Sequence, residues 1–310
     1  MLPPLFGRKA APPPVPPPLT GLGVLEDEVV YGWFFGLLAA HVVLRFLLSL
    51  AQMPHDHAKK TDGMPAQQPK GTVAKLATMP GLTAHQIVIF FPFAYAAYYG
   101  NLSFLCDAEL HELAGGSAVD RLYGISEVGW RLMRFMAGFQ LYDLVVTALE
   151  KDLCKTEHLL HHSFALTTAL AGSANGGPWC TYYAVFFFAV VEVSSVPLCA
   201  VDVYRSIPSL MAEPVHRAIN EVCRTTFALS FLAVRCLAFP ALMLLQLWPD
   251  LYECYTLGDV RVPLRVYVWM GLASMFLTGL QLFWGWKILK VILKGNLKGK
   301  DASAIQSEVH

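Results

Sequence analysis

Seven stretches of this chain approach the ~20 mostly apolar residues that cross a bilayer core as a helix, and they constrain its fold more than any other feature. They cover residues 29–51, 83–105, 128–147, 158–172, 179–201, 226–247 and 266–292. Inside lipid there is no water to satisfy backbone N–H and C=O groups, so such stretches close their hydrogen bonds internally as helices. The expectation is an all-α, polytopic transmembrane helix bundle of about seven spans. A composition of 55% hydrophobic and 15% charged residues points the same way. The fourth stretch is the shortest, and it opens on histidines rather than on aliphatic residues.

The remaining sequence divides the chain. Residues 1–27, with the run APPPVPPPLT, read as a Pro-rich disordered arm. Residues 28–52 hold the first transmembrane helix, and 53–80 form a polar linker rich in Gly, Pro and Lys where a domain boundary is placed. Residues 81–294 make the main membrane domain, and 295–310 a basic tail. Basic loops carrying Lys59, Lys60, Lys151, Lys155, Arg205 and Arg217 alternate with loops that lack such an excess. The positive-inside tendency then places the Lys-rich C-terminus in the cytoplasm and the N-terminus in the lumen. A formal net charge of zero, without a long basic block, removes nucleic acid as a partner. The seven cysteines form no Cys-x-x-Cys pair, so neither a zinc knuckle nor a disulfide framework is expected. No G-x-S-x-G or phosphate-loop pattern occurs.

Ionisable groups inside apolar helices are costly, and they mark candidate sites. His158, His161 and His162 fall at i, i+3 and i+4 in KTEHLLHHSFALTT and share one helix face. Neutral imidazole there can act as base or nucleophile, or can cap the helix start among headgroups. Asp143 lies deep in FQLYDLVVTALE, with Thr147 and Glu150 on its face and Arg235 as its expected partner. Glu192, in VVEVSSVPL, is a third buried group, with Ser195 one turn on and Pro197 expected to loosen the helix just beyond. Asp143, Glu192 and Arg235 can equally form a charge network that fixes helix register without catalysis. His41 and Arg45 read as structural, and Trp284 and Trp286 as an interfacial belt. The spacing of His158, His161 and His162 is that of one di-iron histidine box, but the other histidines form no second box. No metal ion or bound cofactor is expected.

Six segments taken in order, DRLYGISE, FQLYDLVVTALEKD, EHLLHHSFALTT, VVEVSSVPL, FALSFLAVRCLAFP and GLQLFWGWKILKVILKG, resemble the TLC domain. That domain is shared by ceramide synthases, translocating-chain-associating proteins and smaller TLC-domain proteins. The resemblance implies that six of the spans form this domain, in the endoplasmic reticulum. It also maps the double histidine of ceramide synthases onto His161 and His162, and so implies N-acylation of a sphingoid base with acyl-CoA as co-substrate. In that reading His161 or His162 is base or nucleophile, Asp143 orients it, and Glu192 is a second acid or base. Ceramide synthases carry a His-Asp pair and a further Asp where this chain has Val191 and Glu192, which is closer to the smaller TLC-domain proteins. The expectation is a membrane protein of lipid metabolism or lipid homeostasis that binds or senses membrane lipid, a sphingolipid, a phospholipid or a fatty acyl chain, within its bundle. A ceramide-synthase-like N-acyltransferase and a cargo receptor or translocon partner are the alternatives. Nothing in the sequence bears on oligomeric state.

Overall fold

The chain's apolar stretches all become helix. The computed structural model describes residues 27–61, 71–173 and 178–298, and no strand occurs among them. The arm expected at 1–27 lies outside the described residues except for Asp27, as do residues 62–70 of the linker and the tail beyond 298. The helices are α1 (Glu28–Thr61), α2 (Thr72–Leu76), α3 (Pro80–Cys106), α4 (Ala108–Ala114), α5 (Ala118–Tyr123), α6 (Glu127–Leu149), α7 (Thr156–Ser173), α8 (Thr181–Phe188) and α9 (Ser195–Ser206). There follow α10 (Pro214–Ser230), α11 (Phe239–Leu242) and α12 (Trp248–Thr256), joined by π-helical turns into one rod, and then α13 (Leu264–Lys298).

Among the described residues six segments are long and apolar enough to cross a membrane: Glu28–Gln52, Pro80–Cys106, Glu127–Leu149, Thr181–Ser206, Pro214–Thr256 and Leu264–Lys294. The fourth expected span forms α7, which is not among them. Glu157, His158, His161 and His162 all fall in its first seven residues and dilute its apolarity. It nonetheless runs antiparallel along α6, since His162 meets Gln140 near one end while Gly172 abuts Met133 near the other.

The bundle is built around α6, whose Met133, Met136, Phe139 and Tyr142 are fully buried. Helices α1, α3, α7 and α8 pack on it, and α13 closes over α7. Because α1 lies against both α3 and α6, the first helix belongs to the same packed body. The outer faces carry Phe46, Phe91, Leu237 and Leu245, all exposed, while Asp143, His85, Glu192, Arg235 and Gln281 are buried. This inverts the pattern of a water-soluble protein, as expected where the surroundings are hydrocarbon.

Glycine permits two close approaches that matter for the packing of the fifth span. A Cβ on Gly129 of α6 would stand 1.9 Å from the Thr181 carbonyl oxygen, and one on Gly100 of α3 would stand 2.4 Å from Ala189 Cβ. The second contact seats α3 against an interruption in the fifth span. There α8 ends at Phe188, a 3-10 turn covers Val190–Ser194, and α9 begins at Ser195. Pro197 has no N–H to give the Val193 carbonyl, and its ring crowds that carbonyl. The disturbance therefore lies on the N-terminal side of Pro197, rather than beyond it as expected from sequence. Pro240 does the same to the rod that follows, where a π turn covers Phe231–Ala238 immediately before it.

Candidate functional site

The irregular turns decide where the ionisable residues go. Glu192 sits on the 3-10 turn and Arg235 on the π turn, and these two segments pack against each other. Arg235 donates from Nη2 to Glu192 Oε2 at 2.9 Å and to Ser195 Oγ at 2.9 Å, and from Nε to Ser194 Oγ at 2.8 Å. Ser195 Oγ in turn donates to Glu192 Oε2 at 2.5 Å. A buried guanidinium–carboxylate pair survives only with such additional bonds to its remaining donors and lone pairs.

Asp143 is 1% exposed and belongs to a different cluster. Arg235 is not its partner, contrary to expectation, because the π turn packs on the 3-10 turn and α13 while α6 faces α3 and α7. His85 of α3 donates from Nε2 to Asp143 Oδ1 at 2.6 Å. His162 Nδ1 of α7 donates to Gln140 Oε1 at 2.9 Å and lies 3.3 Å from Asp143 Oδ2. Both neighbours of that nitrogen are acceptors, which assigns the ring proton to Nδ1. His162 is thus held from behind by α6, as in arrangements where a carboxylate orients an imidazole.

His161, the other member of the pair, points elsewhere. Its ring lies 5.3 Å from that of His162 and 5.3 Å from Trp284, and its Nδ1 is buried with no hydrogen-bond partner among the described residues. Trp284, expected from sequence in an interfacial belt, instead covers His161 and His158. Neighbouring residues on a helix diverge by about 100°, so an adjacent pair cannot serve one face equally. His161 lines a cavity and His162 does not.

That cavity is narrow and partly open to the surroundings, with about 60 Å³ reachable by the centre of a water-sized sphere. One end is polar, with His161, Glu192, Arg235 and Gln281. The walls beyond are mostly apolar, formed by rows at helical spacing that include Met133 and Met136 of α6, Ala165 of α7, and Met270 and Leu277 of α13, with Gln140, Thr168, Tyr183 and Ser274 interspersed. Residues 270 to 281 of α13 span roughly 16 Å of axial rise.

Two further clusters lie near the ends of α6. Glu150 accepts a hydrogen bond from Arg45 and lies 3.6 Å from His41 Nε2, while Tyr142 and His41 Nδ1 are 3.3 Å apart. At the opposite end Asp250 is gripped by Arg121 at 2.6 and 2.7 Å and also accepts from Tyr183. Among the described residues no group of three or more His, Cys, Asp or Glu side chains is placed to hold a metal ion.

Of the sequence-proposed residues, the fold brings His162 to Asp143 and Glu192 to Arg235, with His161 on the cavity wall between them. His85, Gln140 and Gln281 were missed. A signal existed for the first, since a lone histidine in an apolar span is itself unusual. Nothing local distinguishes the two glutamines. No curated protein and no solved structure matches the chain. Residues 81–290 match the family model of the TLC domain, so this integral membrane protein belongs to the TLC-domain family.

Proposed function

We propose that this protein binds a membrane lipid by one acyl chain within its bundle and acts in lipid homeostasis, from the endoplasmic reticulum membrane, with the C-terminus cytoplasmic and the N-terminus lumenal. The domain and the apolar helices fit a membrane protein related to lipid metabolism. The observation that carries the finer reading is the shape and polarity of the cavity. It is mainly apolar along three helices, and its charged and imidazole side chains, Glu192, Arg235 and His161, gather with Gln281 at one end. A single hydrocarbon chain with a polar head matches that gradient, because apolar walls favour the chain while buried polar groups require partners. The test is native mass spectrometry of the purified full-length chain from lipid nanodiscs. A co-purifying acyl lipid is expected on the wild type, and its occupancy should fall at least ~10-fold in Ala165→Trp, which puts an indole on the cavity wall one turn from His161. Absence of lipid, or equal occupancy in a correctly folded Ala165→Trp, overturns the reading.

A second reading, N-acyl transfer, is favoured by His161 Nδ1, a buried imidazole nitrogen on the cavity wall without a partner. The amine of a sphingoid base would attack the acyl-CoA carbonyl, the C–S bond would break, and the amine proton would pass through imidazole to the departing thiolate. Asp143 and His162 would position the α7 turn that carries His161, and Glu192 would hold Arg235 at the polar end. An acyl-CoA and sphingoid-base assay decides it. Amide product that is lost in His161→Ala supports the reading, and equal turnover in wild type and His161→Ala overturns it.

A further inference from the structure

Gln281 of α13 belongs to the polar end of that cavity, where it is 2% exposed and has an Oε1 without a hydrogen-bond partner among the described residues. A leucine would pack at such a position without that cost, whereas an unpaired amide oxygen in a buried site is penalised until something bonds it. Its place in the cavity is fixed from two sides. Cys236 Sγ, one residue from Arg235, meets the Gln281 backbone carbonyl at 3.6 Å, and Trp284, one turn along, lies against His161. Two unpartnered polar atoms, Gln281 Oε1 and His161 Nδ1, therefore belong to the same polar end.

The charge at that end is already balanced. Among the described residues Arg235 and Glu192 are the only Lys, Arg, Asp or Glu side chains lining the cavity, and they bond each other at 2.9 Å. An anionic head would be brought beside the Glu192 carboxylate, and the guanidinium there already has that carboxylate as its counter-charge. A primary amide, turned either way, offers one acceptor and two donors. Its complement is a group that donates and accepts in one place, which a carboxylate, a phosphate diester or a methyl ester is not.

We infer that the cavity takes an uncharged acyl lipid whose head both donates and accepts hydrogen bonds, a hydroxyl or an amide, and that Gln281 selects it. The inference rests on the lipid-binding reading and narrows the lipid class. Discrimination of this kind is large when a buried site polar group is left unpaired by the wrong ligand.

The experiment uses the full-length chain in nanodiscs at pH 8, above the ordinary imidazole range, with four probes of one chain length: monooleoylglycerol, oleamide, methyl oleate and oleate. Monooleoylglycerol and oleamide are expected to bind at least ~10-fold more tightly than methyl oleate and oleate, consistent with one or two buried hydrogen bonds. Gln281→Leu should erase the advantage over methyl oleate while leaving methyl oleate binding in place, which also shows that the variant is folded. Oleate binding as tightly as monooleoylglycerol, or methyl oleate equal to both, overturns the inference while lipid binding stands, and the unaltered chain alone decides this. Failure of all four probes to bind removes the lipid-binding reading as well.

Discussion

Arg235 and Glu192 are 43 residues apart in the chain and 2.9 Å apart in space, and each is presented by an irregular turn just N-terminal to a proline. Regular α-helix through both segments would place these side chains at other angles, so Pro197 and Pro240 are part of how the pair meets. The pair has a measurable consequence. Glu192→Ala leaves a buried guanidinium uncompensated and is expected to cost about 3–5 kcal/mol. Glu192→Leu combined with Arg235→Leu removes both charges and should recover most of that loss. A double-mutant cycle on unfolding in detergent measures it, and strictly additive single losses would contradict the pairing.

Asp143 organises two histidines from different helices. Replacing it with Asn keeps the shape and removes the charge on the bond from His85 Nε2, which is 2.6 Å long. A loss of about 1–3 kcal/mol is expected. Histidine ring nitrogen NMR shifts should move for both His85 and His162 in Asp143→Asn. An unmoved His162 would show that its 3.3 Å approach to Asp143 is incidental to its hydrogen bond with Gln140.

Gly129→Ala tests the packing of α6 on α8 through the sign of the effect. Alanine normally stabilises a helix interior by about 1 kcal/mol over glycine. Here its Cβ would stand 1.9 Å from a backbone carbonyl oxygen, so a net loss of about 2 kcal/mol or more is expected. Gly279 of α13 has nothing within 4 Å of a Cβ and serves as the control, where alanine should be neutral or stabilising. A lower melting temperature for Gly129→Ala alone is the expected result.

The cap of α5 gives a pH dependence outside the spans. Ser117 Oγ accepts from the Asp120 N–H at 3.3 Å, and Asp120 Oδ2 accepts from the Ser117 N–H at 2.9 Å. Hydrogen bonds from the Ser117 N–H and hydroxyl hold the Asp120 carboxyl below its ordinary 3.8. A depressed folded value means that the contribution is present above the unfolded pKa and is lost as pH falls through the folded one. Asp120 is exposed, so its worth is that of a cap, about 0.5–1 kcal/mol, rather than of an ion pair. The stability gap between wild type and Asp120→Ala should be open at neutral pH and narrow below about pH 4. A gap unchanged by acid would remove the carboxylate from the cap.

The helical class, the positions of six spanning segments and the family were legible before any folding, because all three rest on local quantities: runs of apolar residues, the absence of strand signals, and the order of short motifs. It also marked Asp143, His161, His162, Glu192 and Arg235, since each is an ionisable group in an apolar surround. Tertiary structure alone decided which of them are partners. Asp143 went to His85 and His162 and Arg235 went to Glu192, because helix adjacency and two proline-disturbed turns, rather than spacing in the chain, set which faces meet. It likewise separated His161 from His162, since successive residues point about 100° apart on a helix and only one could face the cavity. Gln281 became visible only there, because an amide is ordinary in sequence and becomes informative when burial leaves it without a partner.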